Sequence, residues 1–181
     1  QRTHSADNTV TDSAAAASAW AMGKKYKNGE ISCSDGKKGE CIDKTPSILE
    51  LAKTRGKASG LVATSQISHA TPAAFGSHVF SRFCGAEIAR QYIEETGVDI
   101  ILGGGLDRTW PTCRVYPESF APADKRQYIL DLAEANSYTF VSDEAGVNHA
   151  VSSNQKKVLG MFEQNGAGKG KTVEMFRVDP L

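Results

Sequence analysis

An excess of charge of one sign is the first thing this sequence lacks. Lysine plus arginine number 21 and aspartate plus glutamate 21, so no net field draws the chain to nucleic acid or to an anionic membrane. Long apolar runs are missing too: none approaches the roughly 20 residues of a bilayer-spanning helix, and no secretory signal is visible. Cysteines at metal-finger spacing are absent, which argues against a structural zinc module. No internal repeat is apparent. Histidines number only four, and neither an Asp-x-x-x-His nor an Asp-His pair occurs. A chain opening at Gln1 rather than methionine reads as processed or cut from something longer.

What is present is an ordinary globular composition. With 181 residues, 40% hydrophobic and 23% charged, the chain is one domain's worth of sequence and can bury a real core. Its four cysteines fall into two sets. Cys33 and Cys41 bracket a polar, glycine-bearing loop that a local disulfide could close. Cys84 and Cys113 stand far apart and could pair only through the fold. An even count in polar loops favours an oxidising compartment, hence a periplasmic or secreted protein.

Hydrophobic periodicity alternates between helix and strand. Residues 24–44 are polar and rich in lysine and glycine, and read as a surface loop or short hairpin. Thr45 then caps a helix with Pro46 in its first turn, Ile48, Leu49, Leu51 and Ala52 on one face, and Gly56 at its end. Residues 58–64 read as a short buried strand and 65–71 as the loop at its end. Pro72 starts a helix continuing through Phe75, Val79 and Phe80; Cys84 and Gly85 interrupt it, and 86–96 resume it until Gly97. Residues 98–102 are a strongly apolar strand, and 107–122 are irregular around Pro111, Pro117 and Pro122. An amphipathic helix over 124–136, a strand over 138–141, a short helix over 144–151 and a strand or buried turn over 157–162 complete the pattern. It predicts an α/β domain with a largely parallel sheet, whose ligands gather beyond the carboxyl ends of the strands.

The rest of the chain is organised around Thr11, Asp12 and Ser13 and the run Ala14-Ala15-Ala16-Ala17-Ser18-Ala19-Trp20-Ala21-Met22-Gly23. Asp12 or Ser13 can cap this helix, the alanines promote it with almost no bulk, and Gly23 can stop it. The same pattern places a serine hydroxyl at the positive end of a helix dipole, where an attached phosphoryl group is stabilised. Thr11-Asp12-Ser13-Ala14-Ala15 with its alanine helix resembles the nucleophile motif of the alkaline phosphatases. Ala70-Thr71-Pro72-Ala73-Ala74, running through His78 to Ser81 and Arg82, resembles their metal and phosphate segment. Val98-Asp99-Ile100-Ile101-Leu102-Gly103-Gly104-Gly105 resembles a strand and glycine turn of the same family. The three blocks stand in family order, and the likeness extends thinly from Val10 to about Phe162.

The resemblance implies a three-layer α/β/α fold with a largely parallel central sheet, residues 1–181 forming a single α/β domain that is the middle part of a longer alkaline phosphatase domain. It implies metal-dependent hydrolysis of phosphate monoesters at alkaline pH. Ser13 would attack phosphorus and carry a phosphoserine intermediate. Arg82 would hold two phosphoryl oxygens with its planar fork, and Asp12 would steady Arg82. Two zinc ions and a magnesium ion are implied, with Ser13 on the zinc side and His69 and Thr71 at the magnesium position. Thr71 offers a hard oxygen suited to magnesium. His69 stands where some members carry aspartate, and an imidazole suits zinc or cobalt better.

Phosphate monoesters and inorganic phosphate are the implied partners and a homodimer the implied assembly. The family's remaining zinc ligands have no counterpart here, so the chain alone is expected to turn over little or no substrate. The competing class is a non-catalytic phosphate-binding or structural α/β domain. His78, mid-helix in this reading, is taken as structural, and His4 and His149 show no ligand spacing. Residues 165–172 approach a phosphate-binding loop but lack its first glycine, and Gly103 to Gly105 is a tight turn too short for a dinucleotide fingerprint.

Overall fold

Helices and strands alternate along the computed structural model, which describes residues 3–34, 41–42, 45–105 and 125–162. In chain order they are α1 (Ser13–Met22), α2 (Ile48–Lys53), β1 (Gly60–Gln66), α3 (Ala70–Gly76), α4 (Gly85–Arg90) with a π-helical turn (Gln91–Glu95) continuing it, β2 (Ile100–Gly104), α5 (Lys125–Ala135), β3 (Thr139–Val141), α6 (Glu144–Ser152) and β4 (Val158–Phe162). The strands pair in the order β1-β2-β4-β3, every pair parallel. Their carboxyl ends therefore lie at one edge.

Strand side chains alternate between faces, and that alternation divides the molecule into two cores. Ile101, Leu159 and Met161 join α1, α3, α4, the π turn and α5 on one face. Ile100, Leu102, Val158 and Phe162 meet Val147 and Ala150 of α6 on the other. The result is the expected three-layer α/β/α arrangement around a parallel central sheet. Of residues 157–162, expected as a strand or buried turn, 158–162 form a strand paired on both sides.

Small residues let α1 and α3 approach closely. Ala14, Ala17 and Ala21 of α1 share a core with Ala70, Ala73 and Ala74 of α3, all at most 4% exposed, while Trp20 on the outer side of α1 is 70% exposed. A longer side chain at Ala17 would overpack this seam, a change that usually costs about 1–3 kcal/mol.

Several boundaries differ from the expectation. Ser47, not Thr45, caps α2, because Ser47 and Glu50 close a reciprocal capping box. Ile48 and Leu51 are exposed at 60% and 49%, so they do not form a buried stripe. β1 runs to Gln66 and is half exposed rather than buried, as one of the two edge strands of the described sheet. Gly103 and Gly104 belong to β2 rather than to a turn. A Cβ on Gly103 would stand 2.8 Å from the Ser65 carbonyl oxygen, where the β1–β2 register shifts between Val62 and Gln66.

The largest correction lies after α3. That helix stops at Gly76, Ser77 turns extended, and Val79 pairs antiparallel with Ile31. The spacing of Phe75, Val79 and Phe80 imitates a helix, but a non-local bridge takes Val79 out of it. The stretch read as a surface loop over 24–44 is correspondingly wrong in part: Tyr26, Glu30, Ile31, Ser32 and Cys33 are buried.

Candidate active site

Asp12 ends an extended segment at φ −86°, ψ 173° and caps α1, its Oδ1 accepting the Ala15 N–H at 2.9 Å. The Ala16 N–H bonds the Asp12 carbonyl oxygen at 3.0 Å. The Ser13 and Ala14 N–H groups lie at the same positive end of the helix. Ser13 is the first helical residue and is exposed.

Arg82 comes from the connector between α3 and α4. Its Nη1 stands 3.1 Å from Asp12 Oδ2 and 3.1 Å from Ser13 Oγ, donating to both. Its Nη2 lies 3.5 Å from Nε2 of His69, the exposed residue that precedes α3. Asp12, Ser13, His69 and Arg82 are thus one group, assembled from segments 69 positions apart at Ser13 and Arg82. Thr71 is exposed one step into α3, on the wall of a cavity of about 630 Å³ with β1, Leu49 and Phe75. Among the described residues it is not brought into the bonded group.

The segment between α1 and α2 holds the parts together. Ser18 of α1, fully buried, donates to the Glu30 carbonyl oxygen at 3.2 Å and accepts the Ser32 N–H at 2.8 Å. Ser32 Oγ reaches the Ala74 carbonyl oxygen at 2.6 Å. Asn28 and Gly29 touch Asp12 directly, and the sequence reading passed over both; an Asn-Gly dipeptide is a turn signal, and it was the only mark they carried.

His78 is structural, as expected, although not within a helix. Its Nδ1 lies 2.6 Å from the Ser32 carbonyl oxygen and its Nε2 2.9 Å from Glu50 Oε2. A carbonyl only accepts, so Nδ1 carries a proton. Burial pushes the Glu50 carboxyl up, but hydrogen bonds from His78 and the Ser47 N–H outweigh it and hold the group below its ordinary range.

A family model described as Alkaline phosphatase matches residues 1–171. The chain belongs to the alkaline phosphatase family. Alkaline phosphatase 3 of Bacillus subtilis (strain 168) is 37% identical over 169 residues, which cover 90% of this chain and 32% of that protein. Alkaline phosphatase of Escherichia coli (strain K12) is 32% identical over 173 residues, 84% of this chain and 34% of that one. Among solved structures, the alkaline phosphatase of the Antarctic bacterium TAB5 aligns with a TM-score of 0.68 at 29% identity, covering 93% of this chain and 44% of that one. The cold-active alkaline phosphatase of Shewanella sp. aligns at 0.64 with 33% identity, covering 88% and 34%. The chain spans about a third of the length of these curated relatives.

In this chain a cationic fork, a helix N-terminus and a hydroxyl converge, a donor set suited to a tetrahedral oxyanion. Among the described residues no group of three or more His, Cys, Asp or Glu could hold a metal ion, and Ser13, His69 and Thr71 do not make a closed ligand set by themselves. Cys33 and Cys41 are joined by a disulfide, as expected. Cys84 is disulfide-bonded as well; its expected partner, Cys113, lies outside the described residues. Among the described residues no helix is long and apolar enough to cross a membrane.

Proposed function

We propose that the protein carrying this chain hydrolyses phosphate monoesters through a phosphoserine on Ser13. The observation that carries the reading is the single guanidinium nitrogen of Arg82 placed 3.1 Å from both Asp12 Oδ2 and Ser13 Oγ. A phosphoryl group seated on Arg82 lies beside the Ser13 oxygen and the positive end of α1. The Ser13 oxygen bonds phosphorus, the phosphorus–ester oxygen bond breaks, and the leaving alcohol departs with the proton that the serine gives up. Water then attacks the phosphoserine, releasing inorganic phosphate and restoring the hydroxyl. Asp12 positions Arg82 throughout and takes no proton.

Residues 1–181 supply the nucleophile and the phosphate arginine of a longer catalytic domain, a reading supported by the share of its relatives that the chain spans. Zinc and magnesium belong to the proposal through the family resemblance, with most of their ligands outside the described residues; His69 and Thr71 are the residues of this chain offered to the magnesium position. The Cys33–Cys41 disulfide supports a periplasmic or secreted location. A homodimer completes the proposal.

The test compares the full-length protein with its Ser13→Ala form on a fluorogenic phosphate monoester, with zinc and magnesium supplied. Loss of turnover in Ser13→Ala together with a phosphorylated Ser13 peptide in the acid-quenched parent is the expected result. Equal turnover in the two forms overturns the nucleophile assignment.

A further inference from the structure

One turn touches both halves of the site. The Asn28 side chain ties down the segment before α1: its Oδ1 accepts the Asp12 N–H at 3.0 Å and its Nδ2 donates to the Val10 carbonyl oxygen at 3.0 Å. Its backbone N–H is held by Asp7 Oδ1 at 2.9 Å, and Asp7 is bonded in turn by Ser5 Oγ at 3.0 Å. Gly29 makes the second connection. Its N–H donates to Asp12 Oδ2 at 3.1 Å, the oxygen that also receives Arg82 Nη1. Its carbonyl oxygen accepts the Arg82 backbone N–H at 2.8 Å. Arg82 is therefore gripped at both ends through one residue, at its backbone by Gly29 and at its guanidinium by the carboxylate that Gly29 orients.

Gly29 sits at φ +87°, and a Cβ built on it meets nothing within 4 Å. Space does not demand glycine there; the left-handed backbone does. In this conformation the N–H points to Asp12 and the carbonyl to Arg82 at once.

We propose that the Asn28–Gly29 turn is a positioning element for phosphate binding: it sets where the Asp12 carboxylate and the Arg82 guanidinium stand relative to Ser13. The proposal rests on the phosphoserine reading for its consequence in turnover, but the effect on phosphate affinity does not depend on that reading.

The experiment uses the full-length protein and three variants, Asn28→Ala, Gly29→Val and Gly29→Asn. Inorganic phosphate binding by calorimetric titration, kcat and KM, far-UV circular dichroism and the thermal midpoint are measured for each. Asn28→Ala and Gly29→Val should weaken inorganic phosphate by about 10- to 100-fold, the scale of one charge-assisted hydrogen bond from a misplaced Arg82, with KM rising in parallel. Gly29→Asn, which tolerates a positive φ, should stay near the parent. Asn28→Ala places no side chain at the positive-φ position, so it still tests the turn if Gly29→Val does not fold. Affinities equal in all four proteins, no binding included, overturn the proposal, as does a fall confined to the thermal midpoint. A parent without Ser13-dependent turnover overturns the phosphatase reading separately, since the phosphate titration still judges the turn.

Discussion

The Asp12–Arg82 contact should carry a measurable coupling energy, and a double-mutant cycle can isolate it. Asp12 has three partners: the Ala15 N–H on Oδ1, and the Gly29 N–H and Arg82 Nη1 on Oδ2. Asp12→Ala removes all of them, losing a helix cap of about 1 kcal/mol and charge-assisted bonds of about 1.5–3 kcal/mol. Arg82→Ala removes only the last. In the cycle the cap and the Gly29 bond appear in both Asp12→Ala backgrounds and cancel, leaving the pair.

The side chains are 27% and 20% exposed, neither open to solvent nor sealed. Fully exposed pairs contribute about 0.2–1 kcal/mol, and an effective dielectric of about 20 gives some 4 kcal/mol of bare attraction before desolvation and ordering reduce it. The expected coupling is accordingly about 1–2 kcal/mol, smaller in high salt. Urea unfolding of the parent, both single variants and the double variant, followed by far-UV circular dichroism, reads it. A companion Asp12→Asn keeps an oxygen for the Ala15 cap but turns an NH₂ toward two donors, so it should lose Arg82 while retaining the cap. Coupling below about 0.3 kcal/mol, the range of independent sites, would refute the statement that Asp12 steadies Arg82.

Two further outcomes follow from the same packing. At the start of β2, burial raises the Asp99 carboxyl, but bonds from Ser59 and the Lys53 ammonium outweigh it and hold it below the ordinary range; Glu50 is depressed likewise. A depressed folded pKa adds stability above the unfolded value of about 4, and that stability disappears as pH falls through the folded value; thermal midpoints measured from pH 7 down to pH 3 should drop, and less so for Asp99→Asn. An unchanged pH profile in Asp99→Asn contradicts the assignment. Cys33 and Cys41 are 8 positions apart, a loop whose closure contributes about 2–3 kcal/mol; Cys33→Ser should lose about that much in urea unfolding, and peptide mapping of unreduced protein should recover the linked pair, whereas free thiols at both positions contradict it.

How much of this was legible in the sequence depends on the range of the interaction involved. The Asp12 cap of α1 joins residues three apart, and the Ser47–Glu50 capping box is equally local; sequence offers Asp12 or Ser13 for the first, and for the second the Thr45-Pro46 pair competes with Ser47. Strand and helix alternation survived because buried strands and amphipathic helices carry their own periods. The end of α3 did not, since Phe75, Val79 and Phe80 keep helical spacing while Val79 bonds Ile31. The burial of Ile31, Ser32 and Cys33 was hidden for the same reason: a polar, glycine-bearing composition describes a loop whether it runs over the surface or through the interior.

At the site, local sequence determined which groups are available, because a serine after an aspartate cap and before an alanine run sits at a helix N-terminus whatever surrounds it. The meeting of Asp12 with Arg82, 70 positions away, was decided only by tertiary structure. The segment around Asn28 and Gly29 bonds Asp12 on one side and the Arg82 backbone on the other, and no periodicity encodes a bond between two distant segments through a third. The orientation of the guanidinium, held beside Ser13 and Asp12, is a property of that packing.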